Sequence, residues 1–314
     1  MFAVFKATLS PMLVMFACIL VGFVLKKKRL LPDGADGVMS RLETCVFLPA
    51  LNIHTFMQYA TLTSLKEQAG LLAVSAGVVL AAIGLAYALA GRLEKEVYRK
   101  NLYRYALTFG NFGFMGNAIV PLILGEEMLY PYLLFTVPLT VAIYTWGMVM
   151  LIPPAAGKKH SFGQYLLNPG TVSVVVGLLL GVLGVGRYMP AFVTTTLGNL
   201  SACMGPVAMV LTGFVIGSYE LKMLLKKPAV YVASVLRLLV LPALFLGILL
   251  LLRVGREAVV MCLFAFATPL GLNTVVFPAA YGGDTSTGAS MAMISHTLCV
   301  VSIPLMYALL SVLM

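Results

Sequence analysis

Charge is what this sequence has least of. Only 10% of its 314 residues are Asp, Glu, Lys or Arg, while 61% are hydrophobic and the mean hydropathy is +1.01. Soluble domains carry about a quarter charged residues, so a soluble fold is excluded. Acidic residues are scarcest, at eleven, and none is expected deep in an apolar run. Glu43 and Asp284 fall near run ends, and Glu126 and Glu127 in a loop. That disfavours a sodium or proton site built on carboxylates, although carbonyls and amides can still hold sodium. The five cysteines (Cys18, Cys45, Cys203, Cys262 and Cys299) have no close pairing, which argues against a disulfide framework or a zinc site. An HExxH motif is absent. "YGGD" at 281–284 resembles a GxGD protease motif but has no second intramembrane aspartate to work with. An intramembrane enzyme is therefore not indicated, and no metal or organic cofactor is expected.

What fills the chain instead is long apolar runs. A hydrocarbon core of about 30 Å needs roughly 20 apolar residues per helix. Ten such runs are read, near 7–25, 39–58, 69–90, 104–124, 128–151, 169–186, 191–217, 229–252, 257–280 and 286–312. They leave no soluble domain, and a seven-helix receptor fits neither this number nor the missing output domain. The first run is not expected to be a cleaved signal, because its basic cluster, Lys26 to Arg29, follows it.

The net charge of +10 is a topology signal, not a nucleic-acid one. With ten spans, one set of loops carries Lys26–Arg29, Arg41, Arg92, Lys95, Arg99, Lys100, Arg104, Lys158, Lys159, Lys222, Lys226 and Lys227. That is fifteen of the twenty-one Lys and Arg. The other side has five, and Arg237 lies within a span. The richer side is expected to be cytoplasmic, so both termini face out of the cytoplasmic membrane.

Ten spans divide into five and five, and an odd repeat unit inverts its copy. Pro49 and Pro206 differ by 157 positions, as do Pro121 and Pro278, and 157 is half the chain. The halves are therefore expected at 1–155 and 156–314. "NFGFMGNAIVP" in the fourth run answers "TPLGLNTVVFP" in the ninth. If helix 4 enters near Arg104, Gly113 to Asn117 lie about 15 Å deep, at the midplane. Broken helices there survive only when they are buried or line a cavity. In matching positions of inverted halves they point to a transporter's binding site.

"GNFGFMGNAIVPLILGEE" at 110–127 resembles the fourth-helix signature of the auxin efflux carrier family. "ATPLGLNTVVFPAAYGGDTSTGASMAMISHTLCVVSIPL" at 267–305 is similar to its C-terminal signature, and "NPGTVSVVVGLLLG" and "RLLVLPAL" fit between. The resemblance implies an all-α fold like that of bile-acid/sodium symporters. Helices 1, 2, 6 and 7 would form a scaffold, usually dimeric, and helices 3–5 and 8–10 a moving domain in which broken helices 4 and 9 cross. Asn111 and Asn273 match the family's two crossover asparagines. Ala118 and Pro121 depart from the usual proline position, and His296 stands where threonine is common. Both departures leave the substrate open.

The residues themselves suggest what such a site takes. The resumed halves of helices 4 and 9 would begin near the midplane with converging N-terminal ends, each worth about half a positive charge. Freed N–H groups there suit an anion, and the natural cargo is a small organic anion such as a carboxylate. The expected site comprises Asn111, Gly113, Gly116, Asn117, Pro121, Pro269, Asn273, Thr274 and Pro278. Pro269 is placed in an early turn of the resumed helix 9, and Asn111, Asn117, Asn273 and Thr274 serve as neutral donors. Arg237 either bonds carbonyls or snorkels, or it handles the anion. His296 is either a neutral hydrogen-bonding residue or the carrier of a coupling proton. The coupling ion, H⁺ or Na⁺, is left open. The leading function is a secondary carrier, and the alternative is a sensor or non-transporting regulator on the same fold.

Overall fold

The computed structural model describes residues 1–152, 167–280, 283 and 285–314. The boundary expected between 155 and 156, Lys158 and Lys159, and Tyr281, Gly282 and Asp284 of "YGGD" lie outside the described residues. Among those described, every element is helical. We number the helices α1 (Phe2–Lys27), α2 (35–59), α3 (Ala69–Leu93), α4 (Val97–Thr108), α5 (Phe112–Leu124) and α6 (Glu126–Leu151). Then come α7 (Pro169–Val182), α8 (Ala191–Gly217), α9 (Pro228–Leu251), α10 (Arg256–Phe266), α11 (Asn273–Ala280) and α12 (Ser286–Leu313). Six of these, α1, α3, α6, α8, α9 and α12, are long and apolar enough to cross a membrane. The fourth and ninth apolar runs are each cut into two shorter helices, α4 with α5 and α10 with α11.

Local chemistry explains the ends. Asn168 caps α7 by accepting from Thr171 N at 3.0 Å, with Pro169 at the first helical position. Glu96 caps α4 by accepting from the Tyr98 and Arg99 amides at 2.9 and 2.7 Å. Those amide bonds hold its carboxyl below the usual carboxylate range. Widened turns at Glu43–Phe47 in α2 and Leu236–Val240 in α9 carry the buried ionisable residues Glu43 and Arg237.

Two packed groups form. In one, α1 lies along α8, and α2 packs on both α7 and α8. Gly22 and Gly213 let the first pair meet backbone to backbone, since a Cβ on Gly22 would collide with Val210 O and one on Gly213 with Ile19 O. In the other, α3 packs on α4 and α6, α10 on α6 and α9, and α12 on α9 and α11, while α1 also touches α12. The deepest part of the molecule is the second group. Every residue of α10 from Ala258 to Phe266 is buried, as are Leu102, Tyr103, Tyr105, Ala106 and Leu107 of α4. By contrast α1, α7 and α9 turn large apolar side chains outward, among them Leu20, Leu179 and Leu251. An apolar exterior of this kind needs lipid as its solvent.

Candidate functional site at the crossing of two broken helices

The breaks are paired with each other. After Thr108 the chain turns extended at Phe109 (φ −116°, ψ 114°), and it is helical again from Phe112. Gly110 bridges Leu270 in antiparallel fashion, and the Asn111 amide donates to Pro269 O at 2.7 Å. On the second strand, Leu270 N donates to Ser295 Oγ of α12 at 3.0 Å. Backbone groups freed by breaking two helices are thus met partly by each other and partly by a side chain of α12, which a low-dielectric interior requires. A Cβ on Gly110 would come within 2.7 Å of Arg237 Nη2 and 2.8 Å of Thr268 O, so only glycine fits this crossing.

Breaking a helix also leaves a C-terminal end with unpaired carbonyls. Arg237 fills both ends at once. Its Nη1 donates to Leu107 O and Thr108 O, each at 3.1 Å, and its Nη2 to Ala265 O at 3.2 Å. The guanidinium is fully buried, 4.9 Å from the Phe266 ring centroid. A cation here meets the negative poles of α4 and α10 together. This matches carbonyl bonding, one of the two readings of Arg237. Arg237 lines neither cavity described below.

The opposite, N-terminal ends face open space. A cavity of about 120 Å³ is lined by Gly110, Asn111, Gly113, Asn117 and Asn273. Thr44 of α2 and Tyr144 of α6 also reach it. The first-turn amides of α5, which have no intrahelical acceptor, border this space, and nothing lies within 4 Å of where a Gly113 Cβ would stand. A second cavity, of about 600 Å³, is lined by Asn117, Pro121 and Pro206 and by His54, Gln58 and Glu126. Along α2, Ser40, Thr44 and Asn52 line the first cavity, and His54, Thr55 and Gln58 the second. The cavities therefore lie at different depths. Asn117 lines both, and its Oδ1 is buried with no partner.

The amides are already engaged. Asn111 Nδ2 lies 3.0 Å from His296 Nε2, whose Nδ1 is 2.7 Å from Ala292 O. Asn273 Nδ2 donates to Tyr105 Oη at 2.8 Å. This set of neutral dipoles can orient a small polar ligand, and no group of three His, Cys, Asp or Glu among the described residues could hold a metal.

Residues 7–307 match the model of a family described as membrane transport protein. The chain belongs to that family, which is the auxin efflux carrier family. No curated protein matches it. It is a multi-pass membrane protein of a transporter family, not of an enzyme family.

Several expected site residues of this transporter sit elsewhere than the sequence suggests. The break falls at 109–111, so Gly113 and Gly116 are helical. Gly116 packs under the Tyr132 hydroxyl, which donates to Phe112 O at 3.0 Å. Pro269 is not in an early turn of the resumed helix, which begins at Asn273. It lies in the extended break, four residues ahead of Asn273, because its carbonyl is the acceptor for Asn111. Thr274 spends its hydroxyl on Gly271 O at 2.8 Å and lines neither cavity. Pro278 does not reach them either, and Pro121 reaches only the larger one. Glu43, expected near a run end, is eight residues into α2 and wholly buried, with both carboxylate oxygens unpartnered. It lines neither cavity. Tyr105 and Tyr132, which position the crossover, escape sequence reading because nothing local marks an aromatic as a long-range hydrogen-bond partner.

Proposed function

We propose that the chain is a secondary active transporter that moves a small organic anion, a carboxylate, across the cytoplasmic membrane by alternating access. The observation that carries this reading is Asn117, which lines both a cavity bordered by the two breaks and a second cavity at another depth along α2. A ligand held at the crossover would exchange through these two spaces in turn. The converging N-terminal ends of α5 and α11 favour negative charge, each by about 0.3–1 kcal/mol and more when partly buried. Asn111 and Asn273 add polar contacts, while Arg237 supplies background positive potential without touching the ligand.

In the proposed architecture the twelve helices make ten spans in two inverted five-helix repeats, with α4–α5 and α10–α11 as the broken fourth and ninth. The group of α1, α2, α7 and α8 is the scaffold, through which two copies pair, and the rest moves against it, as in bile-acid/sodium symporters. Both termini face away from the cytoplasm. A reporter active only outside the cytoplasm, fused after Met314, is expected to be active, and an inactive one with correct insertion overturns the inversion. The anion reading is tested by thermal shift and proteoliposome uptake with small mono- and dicarboxylates, with and without sodium, at two pH values. Stabilisation by at least one carboxylate is expected; response only to cations or neutral solutes sinks it.

A further inference from the structure

The contact between Asn111 and His296 links two chemical choices that are usually independent. A backbone carbonyl can only accept, so the 2.7 Å contact with Ala292 O puts a hydrogen on His296 Nδ1. In the neutral ring Nε2 is then bare and accepts, and the Asn111 amide must turn its NH₂ toward it. The Asn111 carbonyl oxygen is left without a protein partner at the cavity wall, where it repels a carboxylate. If Nε2 gains a proton, it becomes a donor. The same 3.0 Å contact then survives only with the amide turned over, Oδ1 toward the ring and NH₂ toward the cavity.

The surroundings decide what accompanies that proton. α9 brings the Arg237 guanidinium, committed to carbonyls of α4 and α10, and α4 brings the Tyr105 hydroxyl, bonded to Asn273. α10 brings the buried Cys262 thiol, and α12 itself Cys299, whose Sγ lies 3.1 Å from His296 O. The remaining ionisable groups of α10 are Arg256 and Glu257 in its first turn, and those of α4 are Tyr98, Arg99, Lys100, Tyr103 and Arg104. α1 carries Lys6, Cys18, Lys26 and Lys27, α8 the exposed Cys203, and the short helix Leu221–Leu225 the exposed Lys222. α9 adds Tyr231, and α5 and the described part of α11 add none. No described carboxylate is bonded to Asn111, His296 or Arg237. Among the described residues, a protonated His296 therefore has no carboxylate bonded to it as a counter-ion.

We propose that His296 and Asn111 form a proton-operated polarity switch. His296 lines neither cavity and Asn111 stands between it and the first one, so the amide must swing aside for one proton from cavity water to reach Nε2. It then turns its NH₂ outward, and the carboxylate that binds there is the missing counter-ion. Proton and anion enter together, and leave together when Nε2 returns the proton to water on the other side. This rests on the anion reading above and selects H⁺ over Na⁺ as the coupling ion.

The test uses full-length protein labelled with ¹⁵N in His and Asn side chains, with acetate as the probe. The His296 and Asn111 signals are assigned by their loss in His296→Gln and Asn111→Ala. Without acetate, His296 is expected as the Nδ1–H tautomer at neutral pH. As Nε2 protonates, the Asn111 NH₂ signal should move in step and its hydrogens exchange faster with water. Acetate should raise the midpoint of that titration. Above the midpoint its affinity should rise about tenfold for each pH unit of acidification, by reciprocal linkage, a slope lost in His296→Gln. A bare Nε2 persisting with acetate to about pH 5, well below the ordinary histidine value of about 6.5, overturns the switch. So does an Asn111 signal indifferent to His296, or acetate binding that follows sodium and not pH. If no carboxylate binds at any pH, the anion reading fails, while the ligand-free titration still decides the switch. The titration itself is read on the unsubstituted protein, and if either variant misfolds the two signals are assigned instead by their mutual through-space contact across the 3.0 Å Asn111–His296 pair.

Discussion

The two faces of the crossover are built on opposite principles. On the C-terminal face the ends of α4 and α10 are closed by a cation the chain supplies itself, Arg237, at 3.1–3.2 Å from three carbonyls. On the N-terminal face the ends of α5 and α11 meet a cavity edged by amides, and no carboxylate is among the described residues that line it. One pair of poles is matched by the protein itself, and the other, in the proposed function, is left to a solute. A buried charge is thus not by itself a sign of ligand chemistry; what it touches decides. Asymmetry between the faces gives a fixed hub on one side and an open cavity, the proposed exchange site, on the other.

The largest effect is expected from emptying the closed face. Arg237→Leu removes three hydrogen bonds to a charged group, worth about 1.5–3 kcal/mol each. Against this stands the relief of roughly 2.5–3.5 kcal/mol for not inserting the charge. The net loss of several kcal/mol is a large share of a typical stability of about 5–15 kcal/mol, so little folded protein should survive purification. Arg237→Lys, which cannot span three carbonyls, should lower the melting temperature but still bind ligand. Normal stability of Arg237→Leu would erase the contrast between the faces.

Next comes the seam between them. Gly110→Ala would drive a methyl against Arg237 Nη2 and Thr268, at a cost of about 1–3 kcal/mol for overpacking. The check is a melting temperature lowered in Gly110→Ala and unchanged in Gly113→Ala, because Gly113 borders open space.

Smaller in stability but sharper in function are the open-face amides. Asn111→Ala and Asn273→Ala are each expected to weaken carboxylate binding by roughly ten- to hundredfold, with the double mutant departing from additivity because one ligand touches both. Isothermal titration with whichever carboxylate stabilises the parent measures this. Parent-like binding in both would make these amides packing contacts only. The smallest effect, close to none, is expected for Asn199→Ala, since Asn199 is exposed on α8 and lines neither cavity.

The sequence announces the helices far better than it announces the crossover. The apolar run read at 191–217 coincides with α8, and those at 229–252 and 286–312 lie within one residue of α9 and α12. Hydrophobic length is a local property, so a local reading finds it. The breaks are different, because the partner strand sets where each one falls. Gly113 and Gly116 look like helix breakers, yet both are helical, while Phe109, a good strand or helix former, is extended because 268–270 pairs beside it. Glu43 misleads for a related reason. Hydropathy places it near a run end because α2 begins at Ala35, in a polar stretch that hydropathy does not count. The meeting of Asn111 with His296, 185 positions apart, has no local signature at all.

The reach of Arg237 also orders the chain in time. Leu107 and Thr108 precede it by about 130 residues, but Ala265 follows it by 28. In a protein made from its N-terminus, α9 enters the lipid before one of the two half-helices that cover its charge exists. During that interval only α4 can receive the guanidinium, so the first half must already be folded to shelter the second. Biogenesis thus runs through one side chain, and a nascent chain stalled between α9 and α10 should be the form most readily surrendered to quality control.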